Sequence, residues 1–83
     1  MIKNIEMFME LDSQREELAA IVAVHSELSD IAYSKVIECI ERDDLIAYGT
    51  WMDVVETCQY YIDELNTEID KIKEKLQEIA GEA

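Results

Sequence analysis

Two pairs of carboxylates, each spaced three residues apart, are the groups in this sequence best placed for chemistry. They are Glu38-x-x-Glu41 and Asp53-x-x-Glu56, and each pair falls within a predicted helix. Residues three apart lie on one face of a helix, so two such pairs on packed helices could hold Mg²⁺ for reactions of phosphate groups. A metal-dependent hydrolase is therefore one hypothesis for this chain.

The spacing of these pairs resembles that of all-helical nucleotide pyrophosphohydrolases, and the resemblance implies Mg²⁺-dependent hydrolysis of a nucleotide. Those enzymes also carry a doubled run of acids on one helix and basic residues for the phosphates, whereas here Arg42 is the only basic residue between the two acid pairs. The helical periodicity turns Asp53 and Glu56 toward solvent. The favoured interpretation is a solvated acidic face, with no catalytic residue, metal or cofactor.

The single histidine and the two cysteines are predicted to be structural. His25 lies in an apolar stripe, and one histidine cannot supply the usual ligand set of a zinc site. In a helical hairpin it would lie near Tyr61 and Asp63, so we expect a core histidine bonded to a tyrosine or a carboxylate across the helices. Cys39 and Cys58 are expected to be reduced and buried.

The charge of the chain is its strongest indication about partners. Twenty acidic residues stand against seven basic ones, a formal net charge of -13 over 83 residues. The hydrophobic fraction of 49% is too high for a disordered acidic segment, so the charge belongs to a folded body. A negative field of this size repels nucleic acid and anionic membranes, and it attracts basic protein surfaces.

In size and acidity the chain is similar to phage-encoded inhibitors of host defence, including anti-CRISPR and anti-restriction proteins that mimic DNA. The resemblance implies occlusion of a basic, nucleic-acid-binding surface on a partner protein. We therefore predict a protein-binding module that binds neither nucleic acid nor membrane directly. The candidate contact residues are Glu38, Glu41, Asp43, Asp44, Asp53, Glu56, Tyr60, Asp63 and Glu64. A structural subunit of a helical assembly, whose acids serve solubility only, is the remaining alternative.

The composition and the apolar periodicity predict an all-α fold in a single domain over residues 1–83. The chain contains no proline and only two glycines, which leaves little turn chemistry for β-hairpins. Helices are predicted at approximately 2–11, 14–41 and 45–80. The last helix has an apolar or thiol residue at ten successive a and d positions of a heptad, which are Tyr48, Trp51, Val55, Cys58, Ile62, Leu65, Ile69, Ile72, Leu76 and Ile79.

Local capping signals set the predicted helix boundaries. Ser13-x-x-Glu16 matches a capping box and separates a short first helix from the second. An acidic N-cap at residue 43 or 44 favours a turn at 42–44, with a rival turn at Gly49-Thr50. The third helix would then overhang the second by about two turns, and the short first helix could fold back to cover part of the overhang.

The apolar stripe of the second helix is too wide for a single neighbour. It comprises Leu18, Ile21, Val22, His25, Leu28, Ala32, Val36, Cys39 and Ile40. We therefore expect a long antiparallel helical hairpin that forms a homodimer, with the two hairpins packed into a helical bundle. The alternative is that the surplus apolar face binds another protein. No signal peptide is evident and the uncharged runs are too short to span a membrane, so we expect a cytoplasmic protein.

Overall fold

A computed structural model describes residues 4–81, which form two antiparallel helices joined by a short turn. Helix α1 spans Ile5–Glu41 and helix α2 spans Leu45–Gly81, each 37 residues long. The Cα atoms extend over 61 × 14 × 12 Å, so the hairpin is long and only two helices wide. The prediction of an all-helical hairpin is confirmed for the described residues.

The heptad pattern predicted for α2 is the side of that helix that packs against α1. All ten predicted a and d residues are buried or half-buried, and Cys58, Ile69 and Ile79 are the most enclosed. The 3-4 alternation of these residues keeps one narrow stripe facing the partner helix along the whole hairpin. The sequence pattern therefore identifies the inner face of α2 correctly.

Helix α1 packs through a heptad of its own that contains polar residues. The residues of this inner face are all buried or half-buried, and they are Phe8, Leu11, Arg15, Leu18, Val22, His25, Ser29, Ala32, Val36 and Cys39. Three residues of the stripe predicted for this helix, Ile21, Leu28 and Ile40, are instead exposed. The inner face is thus narrower than predicted, and the apolar surplus lies beside it.

The predicted break between a short first helix and the second helix is wrong. Helix α1 runs without interruption through Ser13, and it replaces the helices predicted at 2–11 and 14–41. The alternation of Phe8 and Leu11 continues in the same phase beyond this point, and Arg15 pairs with Asp12 at 2.8 Å within the helix. A break would expose unpaired backbone groups without a compensating gain in packing. The residues before Asn4 in the predicted first helix lie outside the described residues.

The predicted overhang of the last helix is also wrong, because the continuous α1 matches α2 in length. The N-terminal part of α1 lies beside the C-terminal part of α2 instead of folding back. Leu11 and Gln14 line a shallow groove together with Lys75 and Glu78. The hairpin is therefore paired along its full described length.

The turn lies at 42–44, as the capping signals indicate. Asp43 adopts a left-handed conformation with φ 56°, and its N–H bonds to the carbonyl of Ile40 while the N–H of Asp44 bonds to that of Cys39. These two bonds define a Schellman C-cap. The carboxylate of Asp44 then accepts the N–H of Ala47 at 3.2 Å and so caps the start of α2.

The rival turn at Gly49-Thr50 is excluded, because both residues lie inside α2. The hydroxyl of Thr50 donates to the carbonyl of Ile46 in its own helix instead of capping a helix start. A Cβ atom at Gly49 would meet no other atom within 4 Å, and the glycine does not have a positive φ. Gly49 is therefore a tolerated glycine in an exposed helical position.

We expect Gly49→Ala to stabilise the hairpin by about 0.5–1 kcal/mol, since alanine loses less backbone entropy in a helix. Urea denaturation followed by circular dichroism measures the change in the free energy of unfolding. A loss of stability on Gly49→Ala would place the turn at residue 49 instead.

We expect Asp44→Ala to destabilise the hairpin by about 1 kcal/mol, because the N-cap of α2 is lost. The same denaturation experiment measures this change in the free energy of unfolding.

Candidate protein-binding surfaces

The outward side of α2 carries five of the nine predicted contact residues. These five, Asp53, Glu56, Tyr60, Asp63 and Glu64, are all exposed, and we call them the α2 outer face. They fall on the outward side because the a and d positions between them face α1. The helix contains no lysine, arginine or histidine before Lys71. The α2 outer face is therefore a row of carboxylates without basic neighbours on its own helix.

Tyr60 lies at the centre of the α2 outer face. Its side chain is 60% exposed, and its ring packs edge-on against Tyr61 with 5.7 Å between the ring centroids. Glu64, one turn further along, raises the pKa of Tyr60 by accepting a hydrogen bond from its hydroxyl and by its negative charge. Tyr60 therefore stays neutral near pH 7 and presents a large amphipathic ring among carboxylates.

The four remaining candidate residues lie at the turn end of the hairpin, and two of them already have local roles. Glu38 lies between two cations, 3.5 Å from Lys35 and 3.6 Å from Arg42. Asp44 caps α2 through its carboxylate. Glu41 and Asp43 are exposed beside them. Much of the negative charge at the turn end is thus neutralised or used in the fold.

The nine predicted residues therefore do not form one continuous surface. Glu38 and Glu41 lie on the outward side of α1, whereas the α2 outer face points away from α1 on the other side of the hairpin. The two acid pairs considered as a Mg²⁺ site are separated in the same way. Within residues 4–81 no group of three or more histidine, cysteine, aspartate or glutamate side chains is arranged to hold a metal ion.

His25 lies beside Tyr61, as predicted, but its hydrogen bond is different. The two rings are 5.8 Å apart between centroids and tilted by 51°. The Nδ1 atom of His25 is 2.9 Å from the carbonyl oxygen of Ile21, one turn back in its own helix. The ring therefore packs across the hairpin while its polar contact stays local, so the expected bond across the helices is not formed.

The thiols of Cys39 and Cys58 are free and buried, as predicted. Cys39 lies level with Tyr48 near the turn, and Cys58 lies further along beside His25 and Leu28. The turn at 42–44 thus separates the two thiols along the hairpin axis, which prevents a disulfide between them within one chain.

An apolar surface on one side of the hairpin is absent from the predicted contact set. Helix α1 exposes Ile21, Val24, Leu28 and Ile31 along this side. Val54, Thr57 and Tyr61 of α2 line a groove with His25 and Leu28 on the same side. We call these residues of both helices the apolar flank. The apolar flank could have been predicted from a heptad on α1 that includes polar residues such as Arg15 and Ser29. With that heptad as the inner face, Ile21 and Leu28 lie beside it.

Comparisons with known proteins give no relative from which a function could be transferred. The chain matches no known protein family, and neither a curated protein nor a solved structure is similar to it. Neither α1 nor α2 is long and apolar enough to cross a membrane. A function must therefore be inferred from the surfaces themselves.

Proposed function

We propose that this chain is a small acidic helical module that binds a basic surface of another protein through the α2 outer face. The observation that carries the proposal is a row of exposed acids on α2 with no basic residue between Leu45 and Asp70. A surface of this kind steers basic partners toward it and rejects acidic ones. The mechanism is steric and electrostatic occlusion, with no bond made or broken.

The charge density of α2 supports a nucleic-acid-binding surface as the target. The four acids of the α2 outer face lie between Asp53 and Glu64, a stretch of about 17 Å, since an α-helix rises about 1.5 Å per residue. This gives one negative charge per about 4–5 Å, compared with one per about 3.4 Å along a single DNA strand. A groove that binds a phosphate backbone would therefore meet a similar line of charge on α2.

Tyr60 supplies an apolar contact to the partner, which the carboxylates cannot provide. Exposed aromatic residues are enriched among the residues that contribute most to protein interfaces, because they bury a large area with few rotatable bonds. The ring of Tyr60 is held against Tyr61 and is bordered by Glu56, Asp63 and Glu64. We assign it the role of an apolar anchor within a charged contact surface.

The turn end has a lesser role in this proposal. Glu38 is already paired with Lys35 and Arg42, and Asp44 is committed to capping α2. An incoming basic surface would have to compete with these contacts. Glu41 and Asp43 extend the acidic surface toward the turn without forming its centre.

A photo-crosslinking amino acid at position 60 tests the proposal by capturing the partner from an extract of the cells in which the chain occurs. The test compares the wild type with an α2 amide variant, Asp53→Asn, Glu56→Gln and Asp63→Asn. The matched control is an α1 amide variant, Glu16→Gln, Glu27→Gln and Asp30→Asn, which removes the same charge from the outward side of α1. We expect the α2 variant to lose the crosslinked partner and the control to retain it. Equal capture by all three proteins would contradict the proposal.

A further inference from the structure

We infer that the apolar flank is covered by a second copy of this chain, related by a two-fold axis that crosses α1 at the level of residue 26. This inference does not depend on the proposed function, because the apolar flank meets the α2 outer face only along an edge, at Asp53. The two copies of α1 would run antiparallel across the interface, and the two hairpins would form a four-helix bundle.

A two-helix hairpin leaves this side of the molecule in water. Val24 is 61% exposed and Ile31 is 52% exposed, although both are fixed on a rigid helix beside the inner face. Only six of the described residues are buried apolar side chains, so the hairpin has a thin core for its length. A chain of this size commonly gains stability by oligomerisation when its own core is small.

The order of residues along the flank on α1 is symmetric about position 26. An antiparallel two-fold axis at this level places Ile21 opposite Ile31 of the second copy and Val24 opposite Leu28 of the second copy. Apolar side chains thus meet apolar side chains at each of the four contacts that the symmetry generates. This internal symmetry is a property that an interface between identical copies requires, since each residue pair occurs twice.

The charged residues that continue the flank at both ends are complementary under the same axis. Glu17 lies opposite Lys35 of the second copy, and Glu10 lies opposite Arg42 of the second copy. Gln14, between these acids, lies opposite Glu38 of the second copy and can donate a hydrogen bond to it. Two of the seven basic residues of the chain, Lys35 and Arg42, therefore fall where self-association would otherwise bring like charges together.

The other two-fold arrangement of two hairpins fits the residues less well. An axis parallel to the helices would stack α1 of one copy on α2 of the other at the levels seen within the hairpin. Glu17 would then lie near Glu68 and Lys71 of the second copy, which are paired with each other at 3.4 Å within that copy. Ile21 would lie near Glu64 of the second copy. The contact of Ile21 is unfavourable because it buries a carboxylate against an apolar side chain, and Glu17 gains no cation that is free of another partner.

The proposed dimer leaves most of the α2 outer face accessible. The apolar flank includes Val54 and Tyr61 on one side of α2, whereas Glu56 and Asp63 point to the opposite side. Asp53 lies at the edge of the groove beside Val54, where the two surfaces meet. A dimer would therefore present two acidic faces at once, one on each hairpin.

The mass of the full chain in solution is the first test. Analytical ultracentrifugation should give a dimer, twice the 9.6 kDa of one chain, at micromolar concentration. Val24→Glu should raise the dimer dissociation constant by more than about 100-fold, because two carboxylates are buried per dimer. The matched control is Ile37→Glu, at an exposed apolar residue on the opposite side of α1, and it should leave the dimer intact. Circular dichroism checks that both variants remain helical.

A charge exchange tests the position of the axis. Glu17→Lys alone and Lys35→Glu alone should each weaken the dimer by roughly tenfold, since each places like charges opposite one another twice. The double variant has the net charge of the wild type and should recover its affinity. Glu17→Lys also makes the chain less negative, which by itself would reduce the repulsion between copies and tighten the dimer. A tighter dimer from this single variant would therefore overturn the proposed pairing of Glu17 with Lys35.

A distance between labels distinguishes the two arrangements of the hairpins. A spin label at Ile46→Cys, with the buried native cysteines replaced by alanine, should report about 45 Å between copies, because the two turns lie at opposite ends. A distance below about 30 Å would place both turns at the same end and overturn the inference. The inference would also be overturned if the wild type stayed monomeric at high micromolar concentration. The same holds if Ile37→Glu weakened the dimer as much as we expect Val24→Glu to weaken it.

Discussion

Ile69→Ala is expected to lower the free energy of unfolding of this protein by about 3 kcal/mol, enough to unfold much of a small helical domain. Ile69 is 7% exposed and lies at an a position in the middle of the inner face of α2. Removing its side chain beyond Cβ loses apolar burial and leaves a cavity between the two helices. The cost should be large because the inner face is narrow and few neighbouring side chains can move into the space.

Ile46→Ala is the matched control for this prediction, because it removes the same atoms from a residue that is 87% exposed. We expect a change of less than about 0.5 kcal/mol in the free energy of unfolding. Urea denaturation of both variants, monitored by circular dichroism, provides the comparison. Similar losses for the two variants would mean that the a positions of α2 do not form the core.

The α2 amide variant is expected to bind the captured partner at least about 100-fold more weakly than the wild type at low salt. This factor corresponds to about 1 kcal/mol for each of the three carboxylates that the variant neutralises at Asp53, Glu56 and Asp63. The affinity of the wild type should also fall steeply with added salt, because exposed charges are screened. Isothermal titration at a series of salt concentrations measures both effects.

The salt series also separates the contribution of charge to the binding affinity from the contribution of apolar contacts. We expect a shallower dependence of affinity on salt for the α2 amide variant, and an unchanged dependence for the α1 amide variant. Tyr60→Ala should weaken binding without altering the salt dependence, because it removes an apolar contact only. An affinity of the wild type that does not change with salt would refute a charge-based interface.

Most of the fold could be predicted from local chemistry in the sequence. The ten apolar a and d residues of α2 were sufficient to identify its inner face, since a strict 3-4 alternation over this length is typical of a helix packed along one side. An acidic N-cap at residue 43 or 44 is enough to predict the turn, because capping is a local interaction, and the structure shows that Asp44 is the residue that bonds to Ala47.

Helix α1 was harder to predict because its inner face is not uniformly apolar. Arg15 and Ser29 occupy core positions, while Ile21 and Leu28 lie outside the core. A search for the widest apolar stripe therefore includes three exposed residues, Ile21, Leu28 and Ile40, beside six that do face α2. The capping box at Ser13 also led to a wrong prediction, a helix boundary at this residue. Continuous packing against α2 stabilises an unbroken helix more than a local cap stabilises a break.

The candidate surfaces could be predicted only in part. The sequence identified the exposed acids, and all nine candidate residues lie at the surface. It could not show that Glu38 pairs with both Lys35 and Arg42, because the rotamers of these long side chains decide that contact. Nor could it show that the set divides between two helices, which depends on the relative orientation of their inner faces.

Competition with DNA is the most direct test of the proposal that the α2 outer face occludes a nucleic-acid-binding surface. The captured partner is bound to labelled DNA, and fluorescence anisotropy follows release of the DNA as this protein is added. We predict that the wild type and the α1 amide variant displace the DNA at near-stoichiometric concentration, and that the α2 amide variant does not. DNA that remains bound when the partner is saturated with the wild type would contradict the proposal.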